Sequence, residues 1–135
     1  MTAVLAETSA WSRYFRSDID DSDAVVAELD GHLAERNVVT TGIVYLELLR
    51  GFTRERTREA IRSHFDNVPF VEPTREDYAD AANLCITCRR AGVQLGSVDG
   101  LIAQICISNN LTLLTDDADF THAGHHIPLD LWSPG

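Results

Sequence analysis

The sequence predicts an α/β fold, a mostly parallel central sheet flanked by helices on both faces, because short apolar strand-like runs alternate along the chain with helical periods of ten or more residues. Its 135 residues, 44% of them hydrophobic, suffice for one compact core and are too few for two ordinary domains. No low-complexity segment, internal repeat or linker rich in Gly, Pro or Ser divides them, so residues 1–135 are expected to form a single domain.

Taken in order, residues 3–6 read as a strand and 8–16 as a helix, followed by an acidic loop at 17–22. Residues 23–37 place Val25, Val26, Leu29 and Leu33 at helical spacing, and 38–41 read as a second strand. Residues 43–52 and 54–67 read as two helices broken near Gly51, 70–72 as a short strand, and 74–91 as a helix with Thr74 as its cap. After a loop at 92–96, residues 97–109 read as a helix capped by Ser97, 111–115 as a strand and 127–132 as a last strand. Parallel sheets of this kind bind ligands beyond the carboxyl ends of their strands. Chemistry is therefore sought at that edge.

The N-terminus has neither a basic start nor a long apolar middle, which argues against a secretory signal, and no apolar run is long enough to span a membrane. Three cysteines, Cys85, Cys88 and Cys106, are too few and odd in number for a disulfide framework, so the cytoplasm is the expected compartment. A net charge of −10 would repel a polyanion if evenly spread. The basic residues, however, are all arginine, and Arg50, Arg54, Arg56, Arg58 and Arg62 against Glu55 and Glu59 leave one stretch at net +3. That stretch reads equally as a solvated helix face laced with Glu–Arg pairs or as a phosphate-binding surface, with Arg50 and Arg54 as candidate contacts.

Four carboxylates stand out. Glu7 ends the first strand and Asp117 follows the strand at 111–115, although either could simply serve a helix N-terminus, Glu7 with the hydroxyls of Thr8 and Ser9. Glu47 lies among Val44, Tyr45, Leu46, Leu48 and Leu49 on a helix that reads as buried, where a carboxylate must be paired, protonated or metal-bound. Arg50 or Arg54 would be its structural partner. Asp99 falls in the first turn of its helix between Gly96 and Gly100, which would let a substrate approach the backbone. If Glu7, Glu47, Asp99 and Asp117 converge, they cannot all stay ionised without a cation, and oxygen-only ligation points to Mg²⁺ or Mn²⁺.

Other constellations carry less. Cys85 and Cys88 form a CxxC inside a helix, where core packing is the better reading than redox chemistry, and His122, His125 and His126 read as a surface loop lacking a second ligand pair at zinc spacing. No Walker loop or GxGxxG is present.

The segments VLAETSAW, YLELLRG, SVDGLIA and LLTDDADF, in this order and spacing, resemble PIN-domain ribonucleases and in particular the VapC toxins of bacterial toxin–antitoxin pairs, over nearly the whole length. The resemblance implies a single PIN-like domain with an acidic quartet at Glu7, Glu47, Asp99 and Asp117, Asp119 as an accessory acid, and Thr8 and Thr115 in support. It also implies a divalent metal, cleavage of structured RNA such as tRNA or rRNA, a homodimer, and silencing by a VapB-type antitoxin laid across the site. Where the family carries Asp, this chain has Glu7, whose extra methylene moves the carboxylate by roughly 1 Å against the strict octahedral demand of Mg²⁺. Slow cleavage is expected, and the alternative is a catalytically attenuated PIN-fold module that binds RNA or protein. A phosphoacceptor domain or aspartate-nucleophile phosphatase is disfavoured, because those families typically need a lysine and the chain has none.

Overall fold

A computed structural model describes residues 2–16 and 22–134. The acidic loop expected at 17–22 falls outside these except for Ser22, which lies in a turn. The elements run β1 (Val4–Ala6), α1 (Thr8–Phe15), α2 (Ala24–Ala34), β2 (Val38–Val39), α3 (Gly42–Gly51), α4 (Glu55–Phe65), α5 (Arg75–Arg90), α6 (Ser97–Ser108), β3 (Thr112–Leu114) and α7 (Ala118–Ala123). The sheet has the order β2-β1-β3 and is parallel throughout, with Val4 opposite both Val38 and Thr112 and Ala6 opposite Leu114. As the central strand, β1 is covered by helices and buried along its whole length, which is why it reads as an uninterrupted apolar run rather than an alternating one.

The strands expected at 70–72 and 127–132 shrink to one bridge each, Phe70 with Thr40 and Leu131 with Leu113. Proline lacks the N–H a ladder needs; Pro69 and Pro73 bound the first run and Pro128 lies within the second. The bridges are still parallel and continue the sheet by one residue on either side.

The helix expected over 23–37 ends at Ala34, and Arg36 turns the chain with a left-handed φ of 55°. Thr74 caps α5 in a full capping box, its hydroxyl accepting from the Asp77 N–H at 3.1 Å while the Asp77 carboxylate accepts from the Thr74 N–H at 2.9 Å. Ser97 does not cap α6. Gly96 holds the N-cap position, and Ser97 is the first helical residue.

Trp11 of α1, fully buried, packs against Phe65 of α4 with ring centroids 4.7 Å apart and joins Leu5, Leu29, Leu48, Ile61 and Leu113 in the core. On the other side α5 packs on α6 through Gly100, where an added Cβ would stand 2.5 Å from Cys85 Sγ and 3.4 Å from the Ala81 carbonyl oxygen. Gly100 thus allows this close helix contact, while Gly96 has open space around it. Among the described residues no helix is long and apolar enough to cross a membrane.

Candidate metal centre

The parallel pairing of β1 with β3 decides which side chains meet. The last rung is the Glu7 N–H donating to the Leu114 carbonyl at 2.9 Å, so Glu7 emerges beside Thr115 at the carboxyl edge of the sheet. From there β1 leads into α1 and β3 into α7, while α3 and α6 supply Glu47 and Asp99.

Glu7 is the most deeply buried of these acids, 6% exposed. Its Oε1 accepts from the Ser9 and Thr115 hydroxyls, each at 2.5 Å. Those hydroxyls in turn accept from the backbone of the next loop, Ser9 Oγ from the Asp116 N–H at 2.9 Å and Thr115 Oγ1 from the Asp117 N–H at 3.0 Å. One pair of hydroxyls thus orients Glu7 and fixes the strand-to-helix turn carrying Asp117. Burial raises the Glu7 pKa, the two hydroxyls offset part of the rise, and the Asp117 charge adds to it.

Asp99, Asp117 and Asp119 form the tight cluster, each presenting a carboxylate oxygen within 4.8 Å of the others. Asp117 also caps α7, accepting from the Asp119 N–H at 2.9 Å, so the helix-cap reading of this residue holds alongside its place in the cluster. Burial, followed by the charges of Glu7, Asp117, Glu47 and Asp119, pushes the Asp99 pKa up to about 6. A carboxyl raised by four like-charged neighbours marks a place that favours a cation, and an all-oxygen donor set suits Mg²⁺ or Mn²⁺. Asp119, expected only as an accessory, is part of this trio, whereas Glu7 and Glu47 flank it.

The sequence argument that Glu47 sits on a helix buried all round does not hold. α3 buries Val44 and Leu48, but Leu46 is 56% exposed, and Glu47 lies half-buried at the boundary. Neither Arg50 nor Arg54 partners it; its Oε1 instead accepts from Thr8 Oγ1 at 2.8 Å. Thr8 and Thr115 therefore both serve carboxylates. Arg50 and Arg54 are exposed and, among the described residues, make no ion pair, whereas Arg58 and Arg62 pair with Glu55 at 3.8 and 3.0 Å.

Two residues that hold the site were not singled out from sequence for that role. From sequence Ser9 reads only as a helix-cap hydroxyl, and Arg13 carries no signal of its own. Arg13 lies one turn beyond Ser9 on α1 and pairs with Asp23, the N-cap of α2, and with Asp116 at 3.0 Å. Spacing of four on a helix that starts at the sheet edge is the only sequence signal that links them.

Cys88 and Cys106 are buried and Cys85 half-buried; burial pushes all three thiols up, Cys106 to about 12, which disfavours the thiolate form. His122 belongs to α7 and not to a loop, and all three histidines of that region are exposed. Among the described residues the aspartate trio is the one group at metal-ligating spacing.

The family model described as PIN domain matches residues 4–125. Ribonuclease VapC11 of Mycobacterium tuberculosis is 29% identical over 119 residues, covering 87% of this chain and 88% of the relative. Among solved structures, FitAcB from Neisseria gonorrhoeae superimposes with a TM-score of 0.77 at 21% identity, covering 97% of each chain. Mycobacterium tuberculosis VapC20, described as a sarcin-ricin loop cleaving toxin, superimposes with a TM-score of 0.66 at 18% identity, covering 90% of this chain and 95% of the other.

Proposed function

The chain belongs to the PIN-domain family, and on that premise we propose that it is a divalent-metal-dependent endoribonuclease, the toxin of a toxin–antitoxin pair, hydrolysing phosphodiester bonds in structured RNA such as tRNA or rRNA. The observation that carries this reading is the meeting of Asp99, Asp117 and Asp119 at the carboxyl edge of the parallel sheet, with Glu7 and Glu47 beside them. The ribonuclease name of a curated relative spanning most of both chains supports the RNA substrate.

In this reading the trio would hold Mg²⁺ or Mn²⁺, with Glu7 and Glu47 completing the catalytic acids. The bound ion would supply charge to the scissile phosphate and lower the pKa of a water. The chain's own residues do the rest. Thr8 keeps Glu47 turned to the site and Ser9 and Thr115 keep Glu7 there, while Arg50, one turn beyond Glu47 on the same helix, and Arg54 offer exposed guanidinium forks to the RNA phosphates. Residues 1–135 act as a single PIN-like domain in the cytoplasm. A homodimer is expected, with the exposed Leu46 of α3 and Tyr78 of α5, which line one groove, as candidate apolar surface for the second copy. A VapB-type antitoxin would cover the acids with an arginine-bearing segment, bidentate guanidinium being suited to carboxylate pairs.

Asp99→Asn and Glu47→Gln should abolish RNA cleavage with the melting transition retained, measured on the same preparations; a variant that cuts at the parent rate removes that residue from the site. The second reading, an attenuated binding module, is favoured by the commitment of Glu7 to Ser9 and Thr115. Titration with Mn²⁺ followed by incubation with RNA separates the two, since a binding module leaves RNA intact at every metal concentration.

A further inference from the structure

We propose that Arg13 is a positioning residue for the acid cluster, clamping the turn that presents Asp117 and Asp119 to the body of the protein. The observation is a three-way junction. The Arg13 guanidinium grips Asp23 through Nε and Nη2 and reaches Asp116 through Nη1 at 3.0 Å. Asp116 immediately precedes Asp117, and its own N–H is already held by Ser9, so α1 grips this turn at two points on one helix face. Asp23 in turn caps α2, accepting from the Val26 N–H at 3.0 Å, which anchors the guanidinium from behind. A planar fork can give two donors to one carboxylate and a third, at a fixed angle, to the other, a geometry that a compact ammonium does not reproduce. Neither Arg13 nor Asp116 belongs to the metal-ligating trio. The clamp thus acts on the ligands only by holding their backbone, as the outer partners of metal ligands do.

The functional consequence rests on the nuclease reading above, so the test needs one readout free of metal and one with it. In EDTA, hydrogen exchange at the Asp116 and Asp117 amides is compared among the parent, Arg13→Ala, Arg13→Lys, Asp116→Ala and the double variant Arg13→Ala/Asp116→Ala. Exchange should accelerate by about 3- to 10-fold in each single variant, lysine included, and no further in the double variant, with the difference fading in 1 M salt. Calorimetric titration with Mn²⁺ alone should then show affinity weakened by about 3- to 10-fold, below the effect of fully buried outer partners because Asp116 is half exposed. Asp116→Ala should do this with its melting temperature unchanged, a split that a merely structural role would not produce. Unchanged exchange in either alanine variant overturns the clamp. Accelerated exchange with parent-like Mn²⁺ affinity overturns the positioning role. A parent that binds no Mn²⁺, while exchange still responds as stated, upholds the clamp and overturns the metal reading instead.

Discussion

A glutamate is one methylene longer than the aspartate that the family resemblance places after β1, and in Glu7 that length goes into meeting the hydroxyls of Ser9 and Thr115. Two short bonds to Oε1 compete with a cation for the same lone pairs and draw the carboxylate toward β3. A displacement of roughly 1 Å costs on the order of 100-fold in rate where geometry is tight, so Glu7→Asp should raise cleavage by up to about that factor. Mn²⁺, more tolerant of altered ligation than Mg²⁺, should recover part of the gain in the unaltered chain. The measurement is cleavage rate for both forms in both metals, with Asp99→Asn as the control for contaminating nuclease. No gain in either metal would make Glu7 a fully competent ligand or no ligand at all. Thr115→Val tests the hydroxyl itself, since it strips a donor from a buried carboxylate and an acceptor from the Asp117 N–H. It should cost about 1–3 kcal/mol, read by denaturant unfolding; parent-like stability would mean the hydroxyl holds nothing.

Elements whose signals lie within a few residues were legible in the sequence. The 74–91 helix is legible through its cap Thr74, and the structure adds the Asp77 half of the capping box. Thr74→Ala should therefore cost about 1 kcal/mol of stability in the same unfolding experiment. The Gly100 contact was not legible, because Cys85 reaches it from another helix. An alanine there must displace that sulfur, so Gly100→Ala should destabilise by about 1–3 kcal/mol, and Cys85→Ala in the same chain should recover part of the loss. A Gly100→Ala protein as stable as the parent would show that the Cys85 sulfur moves aside without cost. Distance along the chain explains the remaining misreadings too. The strand-like runs around Phe70 and Leu131 carry the right hydrophobicity, but prolines cut their ladders to one rung, and pairing is settled by neighbours far away in sequence. Of the site, the acids were legible as residue types at strand and helix ends. Their supports were not, since Ser9 meets Thr115 and Arg13 meets Asp116 across more than 100 residues.

At the scale of the whole molecule, −10 net charge with a concentrated acid cluster makes stability, metal and partner three faces of one electrostatic problem. An antitoxin arginine laid across the acids would relieve the same repulsion as a cation, so saturating Mg²⁺ should weaken antitoxin binding; unchanged affinity, with no inhibition of cleavage, would exclude direct occupation of the site. Protons are the third way to relieve it. The Asp99 carboxyl rises from 3.8 to about 6 on folding, so between those values the folded state holds a proton that the unfolded chain has released. Stability from this group is complete below pH 3.8 and is lost as the pH climbs through 6. Glu7, also raised, acts in the same direction. Asp23 and Asp77, held down by Arg13 and by Ser108, act in the opposite sense, but their contribution is lost only as the pH falls below the ordinary carboxylate value. In EDTA the melting temperature should therefore fall as the pH rises from 4 to 7, and Mn²⁺ should flatten that slope by favouring the ionised acids. General relief of the negative charge gives a slope of the same sign, so Asp99→Asn is the deciding comparison. It should be more stable than the parent at pH 7 in EDTA and less dependent on pH; a variant with the parent's slope would show that Asp99 does not carry the strain.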